Sequence, residues 1–344
     1  VDVLVVLEGP ADNTTKWVFR DIADIVHDGL TDLGHPSKII YCTNIVFDDC
    51  FGRGTQLIIL APHNLASWYT LDGKSAVLEL NILPPDAVLY NFEQVPRDWP
   101  QLEPGSSSAA QHAERDQSLI SKHTLEIYSK FKVWDYSSEN VKSLDGIGIR
   151  AELVPLGFSP KLRSSAVYPE HEEDIDVLFI GMETPRRRET IRRLRKAGVK
   201  VVHPNSEGID LFGADFDTIS ARSKIVLNLN AFWGVPGEET APCSSSSSSS
   251  SDDDDPNALC NTGEWKMPRL ARLLANGRFI VSETSGSPAE RASLSGGLVF
   301  VAPEQLAETC MFYLNRPDLR VAIAEQGRQL FERRLEADVL RSSV

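Results

Sequence analysis

Short apolar runs alternate with amphipathic stretches along most of this 344-residue chain, and that alternation restricts the folds it can adopt. The run Val-Leu-Val-Val-Leu at 3–7 is apolar on both faces, which is typical of a parallel strand covered by helices on each side. Residues 16–33 then place their apolar side chains on one helical stripe. Such strand–helix alternation predicts doubly wound α/β sheets. The predicted strands are 3–7, 38–42, 57–60, 87–90, 132–136 and 151–155, followed by 176–180, 199–202, 224–229, 279–281 and 298–301.

A break in the alternation predicts two domains. Residues 155–173 bring prolines and a charged cluster, and the strand–helix pattern restarts after them. We therefore expect two Rossmann-like domains, over 1–157 and 174–320, and a C-terminal helix within 321–344 that can cross back to the first. The Ser/Asp run at 244–255 predicts a disordered surface loop.

Charge and cysteine usage bear on partners and compartment. Lys+Arg 35 against Asp+Glu 49 gives a net charge of −14, which disfavours nucleic-acid binding, and no apolar run is long enough to cross a membrane. The chain opens at Val1 directly on a strand, so we expect that a signal, an anchor or a tag precedes it. The pairs Cys42/Cys50 and Cys243/Cys260 are either disulfides or free thiols. With an Asn13 glycosylation sequon, they favour the Golgi lumen, with the cytoplasm as the alternative.

Several catalytic motifs are absent from the sequence. The first strand is not followed by G-x-G-x-x-G, and no P-loop occurs, so dehydrogenase and nucleoside-triphosphatase functions lose their main support. No Cys/His spacing typical of a metal site and no G-x-S-x-G elbow is present.

Positive charge lies near two predicted helix starts in the second half. Gly181 ends a strand before the helix that carries Arg186, and a helix N-terminus is a natural seat for phosphate. The alternative is a solvated basic face. In the helix that begins at Pro268, Arg269 and Arg272 share one face near the N-terminus and are suited to a diphosphate. A surface ion-pair network is the alternative there.

Polar side chains follow three predicted strands of the first half, where ligands bind in open α/β sheets. For His63, a structural and a catalytic role are equally open. The residues are His63 and Asn64 after the third strand, Asn91, Glu93 and Gln94 after the fourth, and Asp135, Ser137 and Ser138 at the fifth.

An ordered series of segments resembles a known family. It runs through Ile-Ile-Leu-Ala-Pro-His at 58–63, Val-Leu-Tyr-Asn-Phe-Glu-Gln at 88–94, Val-Trp-Asp-Tyr-Ser-Ser-Glu-Asn at 133–140, and then 153–158, 176–181, 223–229 and 269–283. In these segments the chain resembles GT-B-fold glycosyltransferases, specifically the family 1-like and spore-maturation-type proteins.

The resemblance implies two Rossmann-like domains that face each other across a cleft. It further implies a metal-independent enzyme without a cofactor, which moves a sugar from a nucleotide-diphosphate sugar to a glycan, protein or small-molecule acceptor. His63 or Glu93 would be the base if the enzyme inverts the sugar's configuration. The implied donor residues are Gly181, Arg186, Asn228, Glu264, Lys266, Arg269 and Arg272; the implied acceptor-side residues are Asn64, Asn91, Gln94, Asp135 and Ser138.

Two positions depart from the family pattern. Lys266 stands where the family usually has a glutamate, and Asn230 stands where a histidine often follows the strand. Glu264 is a possible substitute for the missing carboxylate. These departures keep open an alternative function, that of a non-catalytic protein that binds sugar nucleotides.

Overall fold

The structure is a computed structural model, and its sheets lie in two compact units. The described residues are 2–7, 15–42, 56–67, 74, 76–79, 81–95, 121–164, 172–207, 211–230, 267–284 and 288–344. The first unit comprises the described residues of 1–165, 266–277 and 328–344, and the second unit those of 166–265 and 278–327.

The first unit is built on a six-stranded parallel sheet in the order β2-β1-β3-β4-β5-β6. Its central strands β3 and β4 are buried along almost their whole length, as the apolar runs predict. The strands are β1 (Asp2–Leu7), β2 (Ser37–Cys42), β3 (Gln56–Leu60), β4 (Val88–Asn91), β5 (Lys132–Asp135) and β6 (Ala151–Leu153).

The second unit is built on a five-stranded parallel sheet in the order β11-β10-β9-β7-β8. Its core joins side chains of β7, β9 and β10 to those of the flanking helices. The strands are β7 (Ile175–Phe179), β8 (Val201–Val202), β9 (Ser223–Asn228), β10 (Ile280–Glu283) and β11 (Val299–Val301).

Eleven α-helices lie among the described residues. Those of the first unit are α1 (Thr15–Asp32), α2 (Ala76–Glu79), α3 (Lys122–Tyr128), α4 (Ser138–Gly146), α7 (Met267–Ala275) and α11 (Glu336–Leu340). Those of the second unit are α5 (Pro185–Lys196), α6 (Gly213–Ala221), α8 (Pro288–Ser293) and α9 (Leu306–Leu314), and α10 (Pro317–Glu332) has residues in both units. None of the described helices is both long enough and apolar enough to span a membrane.

The compact units divide the chain at a different place from the predicted domains. The helix that carries Arg269 and Arg272 falls within the predicted domain 174–320, and the structure groups α7 with the first unit. The physical reason is a set of polar contacts that alternation cannot reveal. Asn276 Nδ2 donates to the Leu162 carbonyl (2.7 Å), and Asn276 Oδ1 accepts the Ser164 N–H (2.6 Å). Residues 328–344, including α11, also belong to the first unit.

Each sheet has a point where the strand order reverses. In the first sheet it lies between β1 and β3, and in the second between β7 and β9. In open α/β sheets, ligands bind in the crevice outside the carboxyl ends of the strands at such a point. The segments after β3, β7 and β9 are therefore the first places to search for a site.

Several predictions concern residues outside the described ranges. These are the 244–255 loop, the Asn13 sequon, Glu264, Lys266, Cys50, Cys243 and Cys260.

Candidate functional site

A short turn after β3 carries the first two candidate residues. Ala61 adopts a left-handed conformation with φ of 53°, which is uncommon for a residue with a Cβ and is a form of backbone strain found at functional sites. The 3₁₀ turn Pro62–Ser67 follows, so that His63 and Asn64 are half-buried just beyond the strand. The His63 ring lies 6.1 Å from the Phe19 ring of α1.

Asp135 is a fully buried carboxylate at the end of β5. Its Oδ2 accepts a hydrogen bond from Asn91 Nδ2 at 2.7 Å, and its Oδ1 accepts the Ser137 N–H at 2.8 Å. Asn140 Nδ2 lies 3.1 Å from both oxygens. Asn91 and Asp135 are thus brought together as the sequence places them, but each is occupied within the protein.

The same network fixes the backbone of Glu93. The Glu93 N–H donates to Asn91 Oδ1 (3.1 Å), and its carbonyl accepts from Asn91 Nδ2 (2.7 Å) and Asn140 Nδ2 (2.9 Å). The Tyr128 hydroxyl donates to Asn91 Oδ1 at 3.0 Å. Burial, together with the charges of Asp135 and Glu93, raises the Tyr128 pKa well above its usual value, so the hydroxyl keeps its proton. The half-buried Glu93 side chain therefore extends from a rigid support.

Arg269 adds positive charge near the carboxyl ends of β4 and β5. It is half-buried on the first turn of α7. Burial lowers its pKa to about 10, and the charges of Tyr136 and Glu93 oppose that shift. The guanidinium is therefore cationic at neutral pH and lies within electrostatic reach of Glu93.

Arg272 has a structural contact within the same unit. Its Nη1 lies 2.8 Å from Asp21 Oδ1 of α1, in an ion pair that is largely shielded from solvent on the arginine side. The sequence leaves a diphosphate contact and an ion-pair network open for this residue, and the structure shows an ion pair.

In the second unit, the turn after β7 is held by two side chains that are not among the predicted site residues. The Gly181 N–H donates to Asn205 Oδ1 at 2.9 Å, and the Gly181 carbonyl lies 3.0 Å from His203 Nε2. The His203 ring also packs on Phe179, with the ring centres 4.9 Å apart. Gly181 therefore has a fixed backbone at the point where the strand order reverses.

Arg186 is engaged in the interior of the second unit. It forms a two-point ion pair with Glu283 at the end of β10, with both N–O distances 2.8 Å. Glu283 also accepts the Asn230 N–H at 2.6 Å, and the Asn230 carbonyl accepts from Arg186 (3.1 Å). This carboxylate neutralises the positive charge that was predicted to bind a diphosphate.

Arg187 joins the same region without being a predicted site residue. Its Nε and Nη2 donate to the Leu229 carbonyl (3.2 and 2.8 Å), and its Nη1 donates to the Met182 carbonyl (2.9 Å). The guanidinium lies 5.3 Å from the centre of the Phe179 ring. Arg187 thereby ties the turn after β7 to the end of β9.

Asn228 ends β9 and is buried, and its Nδ2 donates to Ser282 Oγ of β10 at 3.0 Å.

Within the described ranges, no group of three or more His, Cys, Asp or Glu side chains is arranged to hold a metal ion.

Comparison with solved structures places this geometry in a known fold. HepE of Anabaena, solved with UDP and glucose, superposes with a TM-score of 0.55 at 11% identity over 99% of this chain and 98% of HepE. Sucrose-phosphate synthase of Thermosynechococcus elongatus gives 0.53 at 10% identity over 99% and 97%. The chain has the GT-B glycosyltransferase fold. No family model matches it, and neither does any curated protein sequence.

The predicted site residues discussed above lie in two places, one in each unit. Arg269 lies within electrostatic reach of Glu93, which follows β4 of the first sheet, and Gly181 and Asn228 lie at the carboxyl ends of β7 and β9 in the second. Sequence reasoning missed the supporting residues, because their partners are far apart along the chain. One local signal was present, since Ser137 before Ser138 and Asn140 fits a helix N-cap, and its Oγ accepts the Asn140 N–H.

Proposed function

We propose that this protein transfers a sugar from a nucleotide-diphosphate sugar to an acceptor hydroxyl. The fold supports the proposal, since HepE, which shares it, was solved with UDP-glucose. The observation that carries it is the half-buried Arg269, which lies within electrostatic reach of Glu93 just after β4 of the first sheet. A cation in a partly desolvated position stabilises the negative charge that grows on a departing diphosphate.

Glu93 is the candidate base in this proposal. Its backbone is fixed by three hydrogen bonds to Asn91 and Asn140, so its carboxylate is preorganised to accept a proton from an acceptor hydroxyl. His63 is the second candidate, on the neighbouring turn after β3. If the enzyme retains the sugar's configuration, these groups orient the substrate instead of removing a proton.

Two of the predicted donor residues of the second unit keep their predicted role in the proposal, and a third is given a different role. Gly181 and Asn228 lie where the strand order reverses, and we propose them as donor contacts. We assign Arg186 a supporting role, because Glu283 already neutralises it. The proposed reaction needs no metal ion, and activity that survives treatment with a chelator would support that part.

The decisive experiment offers a panel of nucleotide sugars to the wild type and to Glu93→Gln. We expect Glu93→Gln to lower kcat by about 10²–10⁴-fold, the usual contribution of a general base, with an unchanged melting temperature. Glu126→Gln, an exposed carboxylate of α3, is the matched control. NMR of the product anomer distinguishes inversion from retention.

The alternative function is sugar-nucleotide binding without turnover. The observation that favours it is the internal neutralisation of Arg186 by Glu283, which removes one cation from the predicted donor site. Binding without transfer or hydrolysis across the panel would support this alternative.

We also propose residence in the Golgi lumen and an acceptor that is a glycan, a protein or a small molecule. Mass spectrometry of non-reduced peptides tests the compartment. A Cys243–Cys260 link would support an oxidising lumen, and free thiols throughout would support the cytoplasm.

A further inference from the structure

A cleft of about 220 Å³ lies in the second unit, beside α5 and the segment that follows β8. Its lining residues are Glu183, Arg188, Ile191, Arg192, Arg195 and His203. The three arginines are spaced four and three residues apart, which places them on one face of the helix. None of the lining residues belongs to the predicted donor or acceptor set.

The helix that borders this cleft carries a local excess of positive charge. Arg186 and Arg187 are buried and are engaged in the interior. The exposed cations of α5 are Arg188, Arg192, Arg193, Arg195 and Lys196. Ion pairs join Arg188 to Glu183, and Arg192 and Arg193 to Glu189. Like charges at this spacing repel one another and destabilise a helix, and they stand out in a chain of net charge −14.

Hydrogen bonds hold the three guanidinium groups in place without using up their donors. Arg188 Nε is bonded to Glu183, and Arg192 is bonded through Nε and Nη2 to Glu189 (2.6 and 2.8 Å). Arg195 Nη2 donates to the Val201 carbonyl at 3.0 Å. An arginine has five N–H donors. Within the described part of the chain, the remaining N–H groups of these three side chains have no hydrogen-bond partner.

We propose that this cleft binds the phosphate or sulfate group of a ligand. Guanidinium forks match the geometry of a tetrahedral oxyanion, and several oriented donors in one cleft bind it better than a single exposed side chain can. Ile191 gives the cleft an apolar wall against which the rest of a small ligand packs. The site is separate from the proposed transfer chemistry and does not depend on it.

Isothermal titration calorimetry with inorganic phosphate, and in parallel with sulfate, tests the site at constant ionic strength. Saturating UDP is present in one arm, so that phosphate binding at a nucleotide site is removed. We expect saturable phosphate binding in both arms. In Arg188→Gln/Arg192→Gln/Arg195→Gln the affinity should fall by about tenfold or more for each lost charged contact. Arg193→Gln is the matched control, because Arg193 is exposed on the same helix but does not line the cleft.

Arg195→Lys supplies a variant that keeps the charge and removes the fork. We expect it to bind phosphate more weakly than the wild type and more strongly than the triple variant. Circular dichroism melting checks that each variant folds. The proposal is overturned if a folded triple variant binds phosphate as the wild type does, if Arg193→Gln is equally impaired, or if phosphate binds only in the absence of UDP.

Discussion

The buried carboxylate of Asp135 shows how a single residue holds together the segments that follow β4 and β5 of the first sheet. It accepts hydrogen bonds from Asn91, Asn140 and the Ser137 N–H. An ionised carboxylate is an acceptor only, so it satisfies all of these donors at once. Asp135 and Asn91 were predicted as acceptor-side residues. In the structure they bond to each other, and Asn91 holds the backbone of Glu93.

We expect Asp135→Asn to lower the free energy of unfolding by about 2–3 kcal/mol. The new side-chain NH₂ group would face other hydrogen-bond donors inside the protein, where the carboxylate oxygen accepted their bonds. Urea unfolding measures the change. Glu139→Gln, next to an exposed Lys142 partner, should change it by no more than about 0.5 kcal/mol. Equal stability of Asp135→Asn and the wild type would show that the network does not support the site.

The arginines show what a sequence can reveal about a charge and what it cannot. A cation near a helix start is visible in the sequence, but its partner is not, since Glu283 lies 97 residues from Arg186 and Asp21 lies 251 residues from Arg272. Only the folded chain shows that these two cations are paired internally. Arg269, which is half-buried and within electrostatic reach of Glu93, is the one of the three predicted arginines that we propose for anion binding.

For Arg272 we predict a stability effect instead of a binding effect. A double-mutant cycle of Arg272→Ala and Asp21→Ala should give a coupling free energy of about 1 kcal/mol, at the upper end for partly exposed pairs. Nucleotide affinity should be the same in all four proteins of the cycle. A tenfold weaker nucleotide affinity in Arg272→Ala alone would instead return this residue to the donor site.

Among the elements, the short α11 is attached to the first unit by a buried acid. The Glu336 carboxylate accepts the Gly157 N–H, and backbone hydrogen bonds link Phe158 to Arg334 (2.6 Å) and to Glu336 (3.2 Å). Glycine is required at position 157, where a Cβ would lie 2.8 Å from the Glu336 backbone. Burial raises the Glu336 pKa to about 8, although the Gly157 N–H and Arg334 act in the opposite direction.

This raised pKa makes stability depend on pH. In the unfolded chain the carboxyl titrates near 4.5, so between pH 4.5 and about 8 the folded protein holds a proton that the unfolded chain releases. The contribution of Glu336 to stability therefore falls as pH rises, by up to about 1.4 kcal/mol per pH unit, and levels off above about pH 8. Glu336→Gln should remove this slope. Urea unfolding at pH 5.5, 6.5 and 7.5 tests it, and parallel profiles for the two proteins would refute it.

Helix α7 shows what hydrophobic periodicity predicts about a helix and what it does not. The sequence predicts a helix at 268–276 with Leu270, Leu273 and Leu274 on its buried stripe, and the structure has Met267–Ala275 with these leucines buried. Periodicity identifies the buried face of a helix but not the body on which it packs. That choice depends on Asp21 and Leu162, which are distant along the chain.

For the whole molecule, the fold class was predictable because its signal is local and repeated. The eleven strands that the structure describes all fall on apolar runs, and strand–helix alternation requires parallel sheets. The order of the strands within each sheet depends on long-range pairing, and so do the residues that meet at its edge. The two Rossmann-like halves were therefore predictable from the pattern, and the GT-B fold was implied by the resemblance to a known family. The partners of the candidate site residues were not predictable.

The most direct test of the central claim is nucleotide binding, measured as the melting temperature in the presence of UDP, GDP, CMP and dTDP. We predict that at least one nucleoside diphosphate stabilises the protein, by about 2.7 kcal/mol at one hundred times its Kd. Arg269→Gln should weaken that binding by about tenfold to a hundredfold, since it removes a charge-assisted contact, and Arg193→Gln should leave it unchanged. An unchanged melting temperature with all four nucleotides would contradict the account.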